Sequence, residues 1–214
     1  MQTATPVQRR ASRPRADALR NRERIVTAAR EMFVEFGPDV PFDEIARRAG
    51  VGNATVYRNF HDREALVREV VCSVMDRTSE GAERALAETG NAFEALSHFV
   101  HAVADERFGA LCPMFATAFH EHHPELEAAR ERLEQLIEEI MDRARAAGQL
   151  RPDVERGDLM IAVAQLSRPP AGTGCLSLDR FVHRHLQLFL DGLRAPARSE
   201  LPGTAATMED LRQA

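Results

Sequence analysis

"PFDEIARRAGVGNATVYRNF", residues 41–60, reads as two short helices separated by a glycine turn. In the first, Ile45, Ala46 and Ala49 share an inner face, while Asp43 and Glu44 suit the positive end of a helix dipole and Pro41 suits a first helical position. Gly50 can take the left-handed conformation that a tight turn demands, and Ala46 is small where two helices must cross closely. A second helix then covers Asn53 to Phe60, with Val56 and Phe60 turned inward. This is the pattern of a helix-turn-helix, whose second helix enters the DNA major groove.

With Val56 and Phe60 anchored, Asn53, Ala54, Thr55, Tyr57, Arg58 and Asn59 project outward, a set suited to base edges and phosphates. Arginine matches the O6 and N7 acceptors of guanine and asparagine matches adenine, so Arg58 and Asn53 are the expected base readers. Thr55, Tyr57 and Asn59 are expected at phosphates, joined by Arg63 at the start of the next helix; such contacts set register rather than sequence preference. Farther out, Arg9, Arg10, Arg13 and Arg15 form a basic arm able to follow the backbone or enter the minor groove.

Outward from this motif the chain shows helical periodicities divided by glycine or proline, without a strand pattern or repeat, which predicts an all-α fold. A first helix is expected from Asp17 to Phe36, its inner face Ile25, Ala29, Met32, Phe33 and Phe36, ended by Gly37 and Pro38. Asp62 is placed to cap a fourth helix through Arg77, with Leu66, Val70 and Val74 as its stripe. Later helices are expected at 91–107, after Pro113, at 125–147, at 156–166 and at 178–193, with "SRPPAGTGCLS" a non-helical link between the last two. The final helix is apolar on more sides than one core requires. That predicts a two-fold dimer interface made of Phe181, Val182, Leu186, Phe189, Leu190 and Leu193 with Leu159, Met160, Val163 and Leu166.

Charge divides the chain in the same way. Net charge is −5, yet residues 1–68 hold 13 arginines against 9 acidic residues, and the remainder holds 15 against 24. A basic N-terminal part facing DNA and an acidic remainder facing something else follow. No apolar run reaches the roughly 18 residues of a membrane helix, and no apolar leader follows the first arginines, so a cytoplasmic protein without a membrane partner is expected. Cys72, Cys112 and Cys175 are too few and too scattered for a disulfide framework or a Cys-x-x-Cys site. "HEHHPE", residues 120–125, misses the His-Glu-x-x-His zinc pattern because Pro124 stands at the second histidine position. No enzymatic constellation, metal or cofactor is predicted.

The stretch from Ile25 to Leu66 resembles the N-terminal domain of the tetracycline-repressor (TetR) family of transcriptional regulators. The shared pattern is Phe-x-x-x-Gly at Phe33 to Gly37, Ile-Ala-x-x-Ala-Gly-Val at Ile45 to Val51, Thr-Val-Tyr-x-x-Phe at Thr55 to Phe60, and then Arg63, Glu64 and Leu66. It departs at Pro41 and Gly52, where the family often carries a hydroxyl residue, so no phosphate contact is expected from either. The resemblance implies DNA contacts from Asn53, Ala54, Thr55, Tyr57, Arg58, Asn59 and Arg63. It also implies a C-terminal helical domain that binds a small-molecule effector and dimerises. Candidate effector contacts are Phe99, Phe108, Met114, Phe115 and Phe119, with His101, Arg107 and Cys112 as polar partners. The division expected is a disordered arm over 1–16, a helix-turn-helix domain over 17–64, a ligand-binding and dimerisation domain over 65–194 and a flexible tail over 195–214. The function implied is a homodimeric repressor of a palindromic double-stranded operator, released by an unidentified small molecule. The alternatives are a metal- or thiol-responsive regulator, the latter through Cys175, and a non-specific architectural DNA binder.

Overall fold

Local capping chemistry sets several helix boundaries in the computed structural model, which describes residues 12–88, 90–119, 123–168 and 181–213. Among them are ten helices and no strand. The chain divides into two compact units, one ending at Val70 and the other beginning at Val71.

The first unit contains α1 (Ser12–Phe36), α2 (Phe42–Ala49), α3 (Asn53–Asn59) and the start of α4 (Arg63–Glu88). Ile25, Ala29, Met32 and Phe33 bury one face of α1, but Phe36 is 67% exposed rather than inward. The helix has already turned past its inner face there, and Gly37, at φ 85°, closes it through a 3.0 Å bond from its N–H to the carbonyl of Phe33. Pro41 stands just before α2 in an extended conformation, one position earlier than expected, and its carbonyl accepts from the N–H groups of Glu44 and Ile45. Gly50 ends α2 at φ 64°, ψ 38°, and Val51 N–H reaches back to the carbonyl of Ala46 at 3.0 Å. Ile45, Ala46, Ala49, Val56 and Phe60 are all buried around this turn, together with Ile25, Phe33 and Leu66.

Two expectations about α1 and α4 need correction. Helix α1 starts at Ser12, so residues 12–16 are helical instead of disordered; residues 1–11 lie outside the described residues. Helix α4 is capped by Asp62, whose Oδ1 accepts from Ala65 N–H at 2.7 Å, but it continues past Arg77 and through Gly81 to Glu88.

The second unit carries the rest of α4, α5 (Ala92–Asp105), α6 (Phe108–Phe119), α7 (Pro124–Ala146), α8 (Arg156–Leu166), α9 (Val182–Leu193) and α10 (Met208–Gln213). Asn91 caps α5 by accepting from Phe93 and Glu94 N–H. Between α5 and α6 the chain reverses at Glu106 and Arg107, the latter at φ 59°, an unusual conformation for a side chain of this size. Pro113 lies inside α6 rather than before it, so the carbonyl of Gly109 lacks its usual helical donor. Helix α7 opens on Pro124 and buries Leu126, Leu133, Ile137, Ile140 and Ala144. Helices α6 and α8 cross closely enough that a Cβ on Gly109 would lie 2.2 Å from the carbonyl oxygen of Ala164.

Residues 195–213, expected to be flexible, fold onto α8. Gly157 of α8 has no side chain because the carbonyl of Ala206 would be only 2.3 Å from its Cβ, and Asp158 accepts from Ala206 N–H at 3.0 Å. Thr207 and Asp210 cap α10 reciprocally. Arg151, 4% exposed, gathers the neighbouring strands of chain: it donates to Asp153 at 2.6 and 2.8 Å, to the Gly192 carbonyl at 3.3 Å and to the Ser199 carbonyl at 2.8 Å. The polar composition of the tail concealed this, since its anchors lie far upstream.

The guanidinium of Arg151 holds the Asp153 carboxyl below its ordinary value of 3.8. A carboxyl depressed by folding contributes stability above its unfolded value and withdraws it as pH falls through the folded one. Acidification below about pH 4 is therefore expected to loosen the tail, and Asp153→Asn should reproduce that effect at neutral pH. Amide exchange over residues 195–207 measures it; unchanged exchange in Asp153→Asn would remove Arg151 and Asp153 as the clasp.

Candidate nucleic-acid interface

Helix α3 is only seven residues long, and its orientation rests on Val56 and Phe60, which are 0% and 1% exposed. Of the six residues expected to face outward, Asn53, Ala54, Tyr57 and Arg58 are exposed, and Thr55 and Asn59 are half-buried. Tyr57 is 57% exposed and leans on Phe42 with ring centroids 5.2 Å apart, so its hydroxyl end is free while its ring is positioned. Arg58 folds back along its own helix, Nε donating to the Ala54 carbonyl at 3.0 Å and Nη2 to Thr55 Oγ1 at 3.4 Å. These exposed bonds are weak enough to exchange for a base edge. Asn59 is engaged differently, its Nδ2 donating to the Thr55 carbonyl at 2.7 Å. Arg63 donates to the Pro38 carbonyl and lies over the Phe42 ring, 5.6 Å from its centroid. Of the arm, Arg9 and Arg10 lie outside the described residues, and Arg13 and Arg15 fall at the start of α1.

Side chains from α1 hold this surface in place, and the sequence pattern did not single them out. Arg24 donates to the Gly50 carbonyl at 3.1 Å. Arg48 bridges back from α2 to Glu35 and Glu31, each at 3.0 Å, and the bonds to Glu35 and then Glu31 raise its pKa. Arg22 bonds to Glu69 through two nitrogens and to the carbonyl of Asn59. Each partner is distant in sequence, which is why no local pattern reveals them.

Comparison with known proteins agrees with this geometry. A model described as bacterial regulatory proteins, tetR family, matches residues 25–70, and one described as transcriptional regulator SbtR-like, C-terminal domain, matches residues 90–195. A crystal structure of a TetR regulator from Mycobacterium vanbaalenii is 33% identical, with a TM-score of 0.58, over 85% of this chain and 99% of that one. The chain belongs to the TetR family of transcriptional regulators. Similar to it also is the TetR regulator SCO0520 of Streptomyces coelicolor, 30% identical with a TM-score of 0.62 over 82% of this chain and 99% of that one. The curated relative TtgW of Pseudomonas putida, an uncharacterized HTH-type transcriptional regulator, is 42% identical over 59 residues; the match spans 27% of this chain and 44% of TtgW.

In the second unit the effector candidates do not form one group. Phe99, Phe108, Met114 and Phe115 are buried. Phe108 and Phe115 lie 4.8 Å apart, Phe115 and Phe119 6.5 Å, and Arg130 covers Phe119 at 4.9 Å. The polar candidates go elsewhere. His101 faces His183 of α9 with Nδ1 atoms 2.9 Å apart, Arg107 forms the turn before α6, and Cys112 is exposed. A residue not anticipated is Ser79, whose hydroxyl is fully buried without a hydrogen-bond partner among the described residues.

The dimer candidates divide as well. Leu159, Met160, Val163, Leu186, Leu190 and Leu193 are buried within the single chain, which corrects the expectation that they line an interface. Leu166, Phe181, Val182 and Phe189 remain half-buried, and Leu188, on the same over-apolar last helix, is 60% exposed. Periodicity marks these residues as apolar without saying whether the neighbour is the chain's own core. His120 to His122 and Cys175 lie outside the described residues, while His123 precedes α7. Among the described residues there is no helix long and apolar enough to cross a membrane.

Proposed function

We propose that this TetR-family regulator is a homodimeric, cytoplasmic, non-enzymatic repressor that reads a palindromic operator with α3 and leaves it when a small molecule binds the second unit. The observation that carries the reading is the exposed face of Asn53, Ala54, Tyr57 and Arg58 on a helix fixed by buried Val56 and Phe60. Arg58 and Asn53 read bases, and Thr55, Tyr57, Asn59 and Arg63 approach phosphates. The half-buried Leu166, Phe181, Val182 and Phe189 with exposed Leu188 support a second copy of the chain as partner. The aromatic group of Phe108, Phe115 and Phe119 supports an effector that is largely apolar.

The test is selection of randomised duplex DNA by the purified protein at one fixed salt concentration. A palindrome bound about 10³-fold or more above random duplex is the expected result. Uniform binding with no recovered motif would instead establish a non-specific architectural binder.

A further inference from the structure

Arg22 stands where three elements of the first unit meet. From α1, its Nε and Nη2 donate to Glu69 Oε1 and Oε2 of α4 at 3.0 and 2.8 Å. Its Nη1 donates at 3.2 Å to the carbonyl of Asn59, the last residue of α3, and its guanidinium lies 4.5 Å from the centre of the Phe60 ring. The carbonyls of a final helical turn have no donor inside the helix, so a cation there is favoured by both hydrogen bonding and the helix dipole. The planar fork is what makes the arrangement available: one edge grips a carboxylate while the remaining nitrogen serves a carbonyl, which an ammonium cannot do in one geometry. The pair is half exposed, with side-chain exposures of 38% and 35%, so its value as a bare ion pair is small. Its geometry matters more than its energy.

We propose that Arg22 is a positioning residue for operator binding, a latch that fixes the C-terminal end of the recognition helix to α4 through Glu69. This rests on α3 being the reading helix. Helix α4 is continuous from Arg63 to Glu88, so Glu69 lies nearly two turns beyond its start on a helix that runs on from the first unit into the second. A shift of α4 that moves Glu69 draws Arg22 with it and releases the Asn59 carbonyl, and the register of α3 loosens without any change in its own side chains. Arg22 therefore links the regulatory element to the reading element, and Asn53 and Arg58 depend on it.

The test uses the full-length protein and the duplex it selects. Arg22→Gln, Arg22→Lys and Glu69→Gln are each expected to weaken binding about tenfold, with the slope of log affinity against log salt unchanged. Thermal unfolding reports whether each variant is folded, and Arg22→Lys, which keeps charge and stem, serves if Arg22→Gln is not. If Arg22 instead touched phosphate directly, its loss would flatten the salt slope by about one unit per copy, and Glu69→Gln would leave affinity unchanged or raise it. Either result overturns the latch, as does wild-type affinity in folded Arg22→Lys. Failure of the wild-type protein to select any sequence would overturn the reading of α3 and the latch that depends on it, and is distinguished from the other outcomes because it appears before any variant is made.

Discussion

Gly109→Ala is expected to destabilise the protein by about 3 kcal/mol, the upper part of the range for overpacking a close contact. The added Cβ would meet the carbonyl oxygen of Ala164 at 2.2 Å, Ser167 Oγ at 2.7 Å and the nitrogen of Arg168 at 2.8 Å. Two of these atoms are backbone, so no rotamer change relieves the clash and α6 must move away from α8. Moving it breaks a second interaction, the 3.2 Å bond from Gly109 N–H to the hydroxyl of Ser167, which is 2% exposed and in turn donates to the Val163 carbonyl at 2.6 Å. A melting temperature roughly 6–12 °C lower follows for a domain of this size. Differential scanning calorimetry measures it, and a shift under about 2 °C would mean that the α6–α8 crossing is not as close in solution. Operator recognition in the surviving folded fraction should be unaffected at the base level, because Gly109 lies outside the first unit.

Gly109 also shows what a sequence can and cannot reveal. The turn glycine of the reading motif, Gly50, was legible because its demand is local: a positive φ between two short amphipathic helices, with Ala46 and Val51 on either side. Gly109 and Gly157 are required by backbone more than forty residues away, Ala164 and Ala206 respectively, and nothing beside them in sequence records that. Pro113 misled in the opposite direction, because a missing donor weakens a helix that packing can still hold together.

The candidate site follows the same rule. The exposed face of α3 was readable because it is the complement of an inner face set by two residues, Val56 and Phe60, within a single short helix. The side chains that position it were not, since Arg22 is one of 28 arginines and its partner Glu69 lies 47 residues away. For α8 and α9, hydrophobicity identified the right helices and assigned too many of their residues to a partner. Leu186 and Leu190 are completely buried in the chain itself, and Leu188 between them is the exposed one. A helix with apolar residues on several sides needs the neighbours in place before its faces can be told apart.

Arg58→Ala is expected to have the largest effect on recognition. A guanidinium matched to guanine is worth about 1–3 kcal/mol of discrimination, and a two-fold dimer uses two copies, so roughly 30-fold to more than 10⁴-fold loss on the selected duplex is expected. Stability should change by no more than about 0.5 kcal/mol, because Arg58 is exposed and its two bonds in the free protein run along its own helix. The sign of the specificity change separates the possible roles. If Arg58 reads a base, affinity for the selected sequence falls far more than affinity for random duplex, and repeating the selection with Arg58→Ala relaxes one symmetrical pair of positions. Were Arg58 a phosphate contact, both affinities would fall together, the salt slope would flatten and the selected motif would be unchanged. Arg58→Lys sharpens the comparison, since it keeps the charge and loses the fork: near-wild-type affinity with an unchanged motif would assign Arg58 to the backbone and leave Asn53 as the reader on α3.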